Sequence, residues 1–114
     1  MNIVIDAQSK KLGRVASAAA KALMGKEVPG FRRNKVADIS VSIINAGKAE
    51  IPTKKLEQLT YSRYSGYPGG LRIETGVHLK ARKGITELFR IAVEGMLPDN
   101  SLNRTMMKKL TITE

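Results

Sequence analysis

The residues of this sequence that could do chemistry are mostly basic, and they fall into four groups along the chain. Lysine and arginine number 20 against 10 acidic residues, for a formal net charge of +10. The groups are Arg14, Lys21 and Lys26; Arg32, Arg33 and Lys35; Lys80, Arg82 and Lys83; and Arg104, Lys108 and Lys109. One charged run is usually a solvated face, but four groups with few compensating acids favour contact with phosphates. Nucleic acid is the predicted partner, because the alanine-rich helix of the first group is too weakly apolar to anchor on a membrane.

A second candidate site is the segment 61–72, which contains all three tyrosines of the chain together with Arg63 and Arg72. Flat rings and guanidinium planes stack on unpaired bases, and glycines let backbone amides approach phosphates or 2′-hydroxyl groups. The composition of this segment predicts a loop. Two interpretations stay open: the loop contacts RNA, or it is a tight surface turn whose tyrosines pack on the domain.

Catalytic and metal-binding chemistry is poorly supported by the residue types present. The chain has no cysteine and one histidine, His78, so clusters of thiolate or imidazole ligands cannot form. No Gly-x-Ser-x-Gly elbow occurs, and Glu27 stands after Gly25 and Lys26 where a phosphate-binding loop needs serine or threonine. Asp6, at the end of the first predicted strand, is interpreted as the cap of the strand-to-helix turn. The sequence therefore predicts no enzyme activity, cofactor, metal or small-molecule substrate.

The elements that must position these residues belong to one small domain, since 114 residues allow a single modest core. β-Branched runs predict strands, and apolar residues recurring every three to four positions predict helices. The predicted strands cover residues 2–7, 39–44, 49–51 and 110–113, and the predicted helices cover 12–24, 53–59, 85–97 and 101–109. Strands that alternate with helices favour an α/β fold with a parallel, helix-covered sheet. No apolar run is long enough to cross a bilayer.

Several short motifs follow one another along most of the chain. They are Ile5-Asp6-Ala7 with Leu12-Gly13-Arg14-Val15-Ala16-Ser17; Leu23-Met24-Gly25-Lys26; Ile44-Asn45-Ala46 with Lys48; Ser65-Gly66-Tyr67-Pro68-Gly69-Gly70-Leu71; and Ala92-Val93-Glu94-Gly95-Met96-Leu97-Pro98 with Asn100, Leu102 and Arg104. In this order and at this spacing the chain resembles the family of large ribosomal subunit protein thirteen. One motif alone would be weak, but the ordered set is highly specific.

The resemblance implies a three-layer α/β/α domain over residues 1–114, built around a four-stranded, mainly parallel sheet. It also implies a structural constituent of the large ribosomal subunit, an early-assembling protein that binds large-subunit rRNA beside neighbouring ribosomal proteins in the cytoplasm rather than in an organelle. Members usually extend before the first strand and after Leu110, so the resemblance is to a member shortened at both ends. The alternative from another class is a free-standing RNA-binding regulator or RNA-processing enzyme on the same kind of fold.

The charge groups, the 61–72 segment and the family motifs together predict which residues contact rRNA. The match to the family motifs implies Arg14, Lys26, Gly69, Gly70 and Arg104. The full predicted set is Lys10, Lys11, Arg14, Lys21, Lys26, Arg32, Arg33, Lys35, Arg63, Tyr64, Ser65, Gly66, Tyr67, Gly69, Gly70, Arg72, Arg82, Lys83, Arg104, Lys108 and Lys109.

Overall fold

The computed structural model describes residues 2–114, whose strands form two separate sheets. In chain order the elements are β1 (Asn2–Asp6), α1 (Leu12–Met24), β2 (Ser40–Ile44), α2 (Thr53–Gln58), β3 (Thr60–Tyr64), β4 (Leu71–Thr75), α3 (Gly76–Lys83), α4 (Ile85–Met96), α5 (Asn103–Lys108) and β5 (Leu110–Ile112), with a 3-10 turn at Ala46–Lys48. The main sheet is parallel with the strand order β1-β2-β5, and β3 pairs with β4 in an antiparallel hairpin. The predicted α/β class is confirmed.

The main sheet has one packed face and one open face. Val41 and Ile43 are fully buried, and Ile3 and Ile5 on the neighbouring strand pack against the same core. Side chains alternate between the two faces of a strand, so the residues between these point the other way. Val4, one of them, is 59% exposed.

Helices α1 and α4 cover the packed face. The apolar face of α1 is buried as predicted, and its members are Leu12, Val15, Ala19, Ala22 and Leu23. Small alanine side chains let the backbone of α1 approach its neighbours closely, and its most extensive contact is with α4. Phe89 and Leu88 of α4 are fully buried in this interface region. The core therefore lies between one sheet face and two helices.

Two predictions about the main sheet are wrong. A three-layer α/β/α arrangement needs helices on both faces, whereas the face that carries Val4 is open. The strand predicted at 49–51 is reduced to an isolated bridge between Lys11 and Glu50. Pro52 follows at once and has no N–H to extend a ladder. The main sheet consequently has three parallel strands rather than four.

The prediction of a loop over 61–72 is wrong in part, because residues 61–64 and 71–72 belong to the strands of the β3–β4 hairpin. Residues 65–70 lie outside the two strands and form its tip. Helix α3 then begins at Gly76, and the Thr75 hydroxyl caps it by accepting a 3.4 Å hydrogen bond from the His78 N–H. The sequence pattern does not predict α3, because only Gly76 and Leu79 of its residues are buried.

The molecule is flat, with principal extents of 46 × 37 × 17 Å. Its radius of gyration is 15.1 Å, against about 13 Å expected for a compact chain of this length. The hairpin packs with α2 and α3, and α3 in turn packs on α4. Over residues 2–114, none of the helices combines the length and apolar character needed to cross a membrane.

Candidate nucleic-acid interface

The β3–β4 hairpin has two chemically different faces. Residues directly opposite each other on paired strands share a face, as do residues two positions apart. The first face carries Tyr61, Arg63, Arg72 and Glu74, and the second carries Ser62, Tyr64, Leu71 and Ile73. On the second face Tyr64, Leu71 and Ile73 are 66%, 60% and 67% exposed. We call these two surfaces the cationic face and the apolar face of the hairpin.

On the cationic face Arg63 and Arg72 are directly paired across the two strands. One nitrogen of Arg63 lies 3.6 Å from a Glu74 carboxylate oxygen. Within residues 2–114, no carboxylate oxygen lies that close to Arg72. Like charges directly opposite each other destabilise a hairpin, so this pair forms a position that an anion would stabilise.

The three tyrosines differ in exposure, so the two interpretations of this segment apply to different rings. Tyr61 is half-buried and packs against the core, and burial raises the pKa of its hydroxyl. Tyr64 and Tyr67 are 66% and 75% exposed. The packing interpretation therefore holds for Tyr61, and the other two rings are accessible to a binding partner.

The hairpin tip has the sequence and geometry of a type II turn over residues 67–70. The Gly70 N–H donates a 2.9 Å hydrogen bond to the Tyr67 carbonyl oxygen. Pro68 stands at the second position, and Gly69 at the third has φ +73°, which this turn type requires. A β-carbon on Gly70 would lie 2.9 Å from the Tyr67 carbonyl oxygen and would overlap the Ser65 hydroxyl. The turn itself therefore accounts for both glycines, and it holds Tyr67 at the tip.

Glu74 joins the hairpin to α3. Its side chain is 8% exposed and accepts two 2.8 Å hydrogen bonds, from Nε and Nη2 of Arg82, while Nδ1 of His78 lies 3.1 Å away. The hydrogen bonds from Arg82 are the main cause that lowers the pKa of Glu74, and the same bonds raise the pKa of Arg82. A bidentate pair of this kind fixes geometry as well as charge. Arg82 thus orients the hairpin with donors that a phosphate would otherwise use.

Two of the predicted basic groups meet at the end of the main sheet where β2 and β5 begin. Lys26, Arg32, Arg33 and Lys35 line a cleft whose other side is formed by the segment 98–106. Arg104 lines the next hollow along that segment. We call this region the connection cleft, because the segment 26–38 that connects α1 to β2 forms most of it.

Lys109, between α5 and β5, holds the connection in place. Its ammonium group donates a 2.9 Å hydrogen bond to the Ala37 carbonyl oxygen and lies 3.9 Å from an Asp38 carboxylate oxygen. Its side chain is only 29% exposed. Lys109, predicted as an rRNA contact, therefore also has a structural task.

The opposite end of the main sheet carries Lys10, in the turn from β1 into α1. One oxygen of Asp6 accepts hydrogen bonds from the Gln8 N–H at 2.9 Å and the Asn45 amide at 3.1 Å. These bonds, followed by the charges of Lys10 and Lys48, lower the pKa of Asp6. The interpretation of Asp6 as a turn cap is confirmed, and Lys48 joins Lys10 as a cation at this end.

The predicted basic residues differ in whether a carboxylate lies close to them. Those with a carboxylate oxygen within 4 Å are Lys11, Lys21, Arg63, Arg82 and Lys109. Within the part of the chain that the structure describes, those with none are Lys10, Arg14, Lys26, Arg32, Arg33, Lys35, Arg72, Lys83, Arg104 and Lys108. The second set holds uncompensated charge at both ends of the main sheet and on the hairpin.

Two residues beside these sites lie outside the predicted set. Phe31 is 42% exposed and lines the connection cleft. In the sequence Phe31 stands directly before Arg32 and Arg33, and an aromatic residue next to basic residues could have identified it as a candidate for RNA contact. Glu74 has no comparable local signal, because its contact with Arg82 depends on the way the hairpin packs against α3.

The geometry offers no metal centre: residues 2–114 contain no group of three or more acidic or histidine side chains arranged to hold a metal ion. His78 is 68% exposed and pairs with Glu74. Its position on α3 is that of a surface residue next to an ion-pair cluster.

Comparison with known proteins gives matches along the whole chain. The model of the family Ribosomal protein L13 matches residues 1–114. Large ribosomal subunit protein uL13 of Carboxydothermus hydrogenoformans is 48% identical over 110 residues, which cover 96% of this chain and 76% of that protein. The uL13 proteins of Moorella thermoacetica and Mesomycoplasma hyopneumoniae are 45% and 44% identical over 109 residues, each covering 96% of this chain and 75% of the relative. These relatives are named as ribosomal proteins and not as enzymes, in agreement with the prediction of no enzyme activity.

Proposed function

Since the chain belongs to the ribosomal protein L13 family, we propose that it is a structural constituent of the large ribosomal subunit that binds large-subunit rRNA and stabilises rRNA folding early in assembly. Family membership confirms the resemblance carried by the motifs. The relatives are bacterial, which supports a place in the cytoplasmic ribosome.

The observation that carries RNA binding is the uncompensated charge, above all that of Arg72, which stands opposite Arg63 on the cationic face of the hairpin. Opposed like charges cost stability in the free protein. The net charge of +10 adds self-repulsion over the whole surface. A phosphate between the two guanidinium groups would relieve the local repulsion and would accept charge-assisted hydrogen bonds.

A role in rRNA folding is supported by how widely these cations are spread. Cations at both ends of the main sheet and on the hairpin occupy a body 46 Å long. A rigid body of this size can neutralise separate RNA segments at the same time, which lowers the repulsion between them. The exposed rings of Tyr64 and Tyr67 add positions where unpaired bases can stack.

The apolar face of the hairpin supports contact with a neighbouring protein of the subunit. Leu71 and Ile73 are aliphatic, so they offer RNA neither a ring to stack on nor a charge for phosphate. Exposed apolar side chains grouped on one face are typical of protein interaction sites. In this arrangement the cationic face is directed to rRNA, and Leu71 and Ile73 of the apolar face are directed to protein.

The experiment that tests the function is sedimentation of the tagged chain in extract through a sucrose gradient after a high-salt wash. We expect co-migration with the large subunit. A variant with Arg32→Gln, Arg33→Gln and Lys35→Gln should migrate increasingly at the top of the gradient, because it loses three phosphate-facing charges. A control that removes two charges elsewhere, Lys54→Gln with Lys55→Gln on the exposed surface of α2, should remain with the subunit. A wild-type chain found only at the top would contradict the proposal.

A further inference from the structure

The connection cleft is lined by apolar and by cationic side chains, and we call these two parts of the lining its floor and its rim. Its volume is about 370 Å³, near the lower end of the range for pockets that enclose a small organic group. Met24, Phe31 and Met106 supply apolar surface to it. The lining therefore suits a flat apolar group rather than a bare ion.

The rim of the cleft is strongly cationic. Lys26, Arg32, Arg33 and Lys35 all line it, and the described lining includes no carboxylate. Four positive charges around one apolar recess match a ligand that joins an uncharged ring to a phosphate chain. A free aromatic ligand would not need these charges, and a phosphate alone would not need the apolar floor.

Phe31 exposes part of a large ring at the cleft. The only other phenylalanine, Phe89, is fully buried in the core, whereas Phe31 is 42% exposed. The exposed part of the ring adds nothing to the hydrophobic stabilisation of the fold. In the cleft, however, its position beside Met24 and Met106 allows it to pack against a planar partner.

We propose that the connection cleft holds one unstacked RNA base, with Phe31 and the two methionines against the base and the four cations on the flanking phosphates. Recognition of single unstacked bases by aromatic side chains is a general way to bind RNA. Asn100 also lines the cleft, and its Oδ1 is fixed by the Leu102 N–H at 3.0 Å. Its amide N–H groups are donors suited to the acceptors on a base edge. This inference rests on the proposed function, because it identifies the RNA element that one part of the interface receives.

The test compares two pentaribonucleotide probes that differ by one base. In the first, the central sugar carries adenine and the other four sugars are abasic; in the second, all five are abasic. We expect the adenine probe to bind about tenfold tighter, which corresponds to one stacked base. Methyl NMR on methionine-labelled protein should show the adenine acting on Met24 and Met106, and not on Met96, which lies on α4 outside the cleft.

Substitutions at two exposed apolar residues separate this site from the rest of the surface. Phe31→Leu should remove the preference for the adenine probe while leaving affinity for the abasic probe unchanged, because the charges are retained. Phe31→Tyr keeps a ring and should keep the preference. Met96→Leu, at an exposed position on α4 outside the cleft, is the control and should also keep the preference.

The inference is overturned if the two probes bind wild-type protein equally, if Met24 and Met106 do not respond to the adenine, or if Phe31→Leu retains the full preference. Each of these results leaves the proposed function standing as long as the chain sediments with the large subunit. Loss of that sedimentation would instead remove the premise on which the site depends.

Discussion

Arg72 and Arg82 lie on the same part of the fold, yet the structure predicts opposite consequences for replacing each by glutamine. Arg72 is exposed, stands opposite Arg63 and has no carboxylate within 4 Å among residues 2–114. Arg82 holds the buried Glu74 through two 2.8 Å hydrogen bonds. Arg72→Gln should therefore weaken RNA binding and should not lower the melting temperature, which rises slightly if the repulsion with Arg63 is relieved. Arg82→Gln should lower the melting temperature.

The size of the Arg72 effect follows from counterion release. If about six phosphates are engaged, log K for rRNA should fall with log salt at a slope of about −4 to −5, and each lost contact should remove about 0.7 to 0.9 from that slope. Between about 50 mM and about 200 mM salt, the affinity penalty of Arg72→Gln should thus shrink about threefold. Arg82→Gln should leave the slope unchanged for the molecules that remain folded.

Filter binding to large-subunit rRNA over a salt series, paired with thermal melting of the free protein, measures both quantities. An unchanged slope for Arg72→Gln would refute the assignment of the cationic face to phosphate. A reduced slope and an unchanged melting temperature for Arg82→Gln would show that Arg82 serves RNA rather than the hairpin. Arg72→Lys supplies the control for charge without the planar guanidinium, and it should keep most of the slope.

Three further predictions concern stability. Ala19 is fully buried, so Ala19→Leu should overpack the interface of α1. The free energy of unfolding, measured by chemical denaturation, should fall by about 1–3 kcal/mol. Unchanged stability would mean that this face is not packed. Gly25→Ala should lower the free energy of unfolding by about 1–3 kcal/mol. Gly25 has φ +75°, and the new β-carbon would lie 2.6 Å from that of Ala37. An unchanged free energy in the same assay would contradict the left-handed cap. The pKa of Glu74 is lowered in the folded protein, so its stabilising contribution is present above the ordinary glutamate pKa of about 4.3 and is lost as the pH falls further. Melting curves of the wild type and Glu74→Gln should therefore converge in acid, whereas those of the exposed control Glu57→Gln should follow the wild type throughout.

The elements that sequence predicts well are those whose pattern is set by burial. Helix α1 buries a face of regular spacing, and its left-handed cap at Gly25 has the only residue type that adopts that conformation without strain. Strand β2 alternates Val41 and Ile43 with serines, which predicts a strand correctly. The same alternation is typical of a sheet with one solvated face, because strands buried on both faces are apolar throughout. The alternation in β2 therefore indicates a sheet with one solvent-exposed face, whereas the family resemblance implies helices on both faces.

The hairpin could not be predicted from burial because its side chains are mostly exposed. Leu71 and Ile73 alternate with polar residues, but they face solvent, and the tip between the strands has the proline and glycine content of a loop. Its orientation depends on the contact of Glu74 with Arg82 of α3, which is a consequence of tertiary packing. For the same reason the sequence showed which stretches of the chain are basic but not which of them lie side by side. Only the fold brings the 26–38 connection against the 98–106 segment.

The predicted basic residues consequently have two different tasks, and for the uncompensated ones salt has opposite effects on the stability of the free protein and on RNA binding. Cations such as Arg82 and Lys109 hold elements together through carboxylate or carbonyl oxygens. Cations such as Arg72 and Arg33 add repulsion that the free protein must tolerate, because no acid in the described chain compensates them. Salt screens that repulsion and so favours the folded free protein, but it also weakens the attraction to RNA phosphates. The fold therefore carries at its surface a charge that is unfavourable in isolation and becomes favourable only when a polyanion is bound.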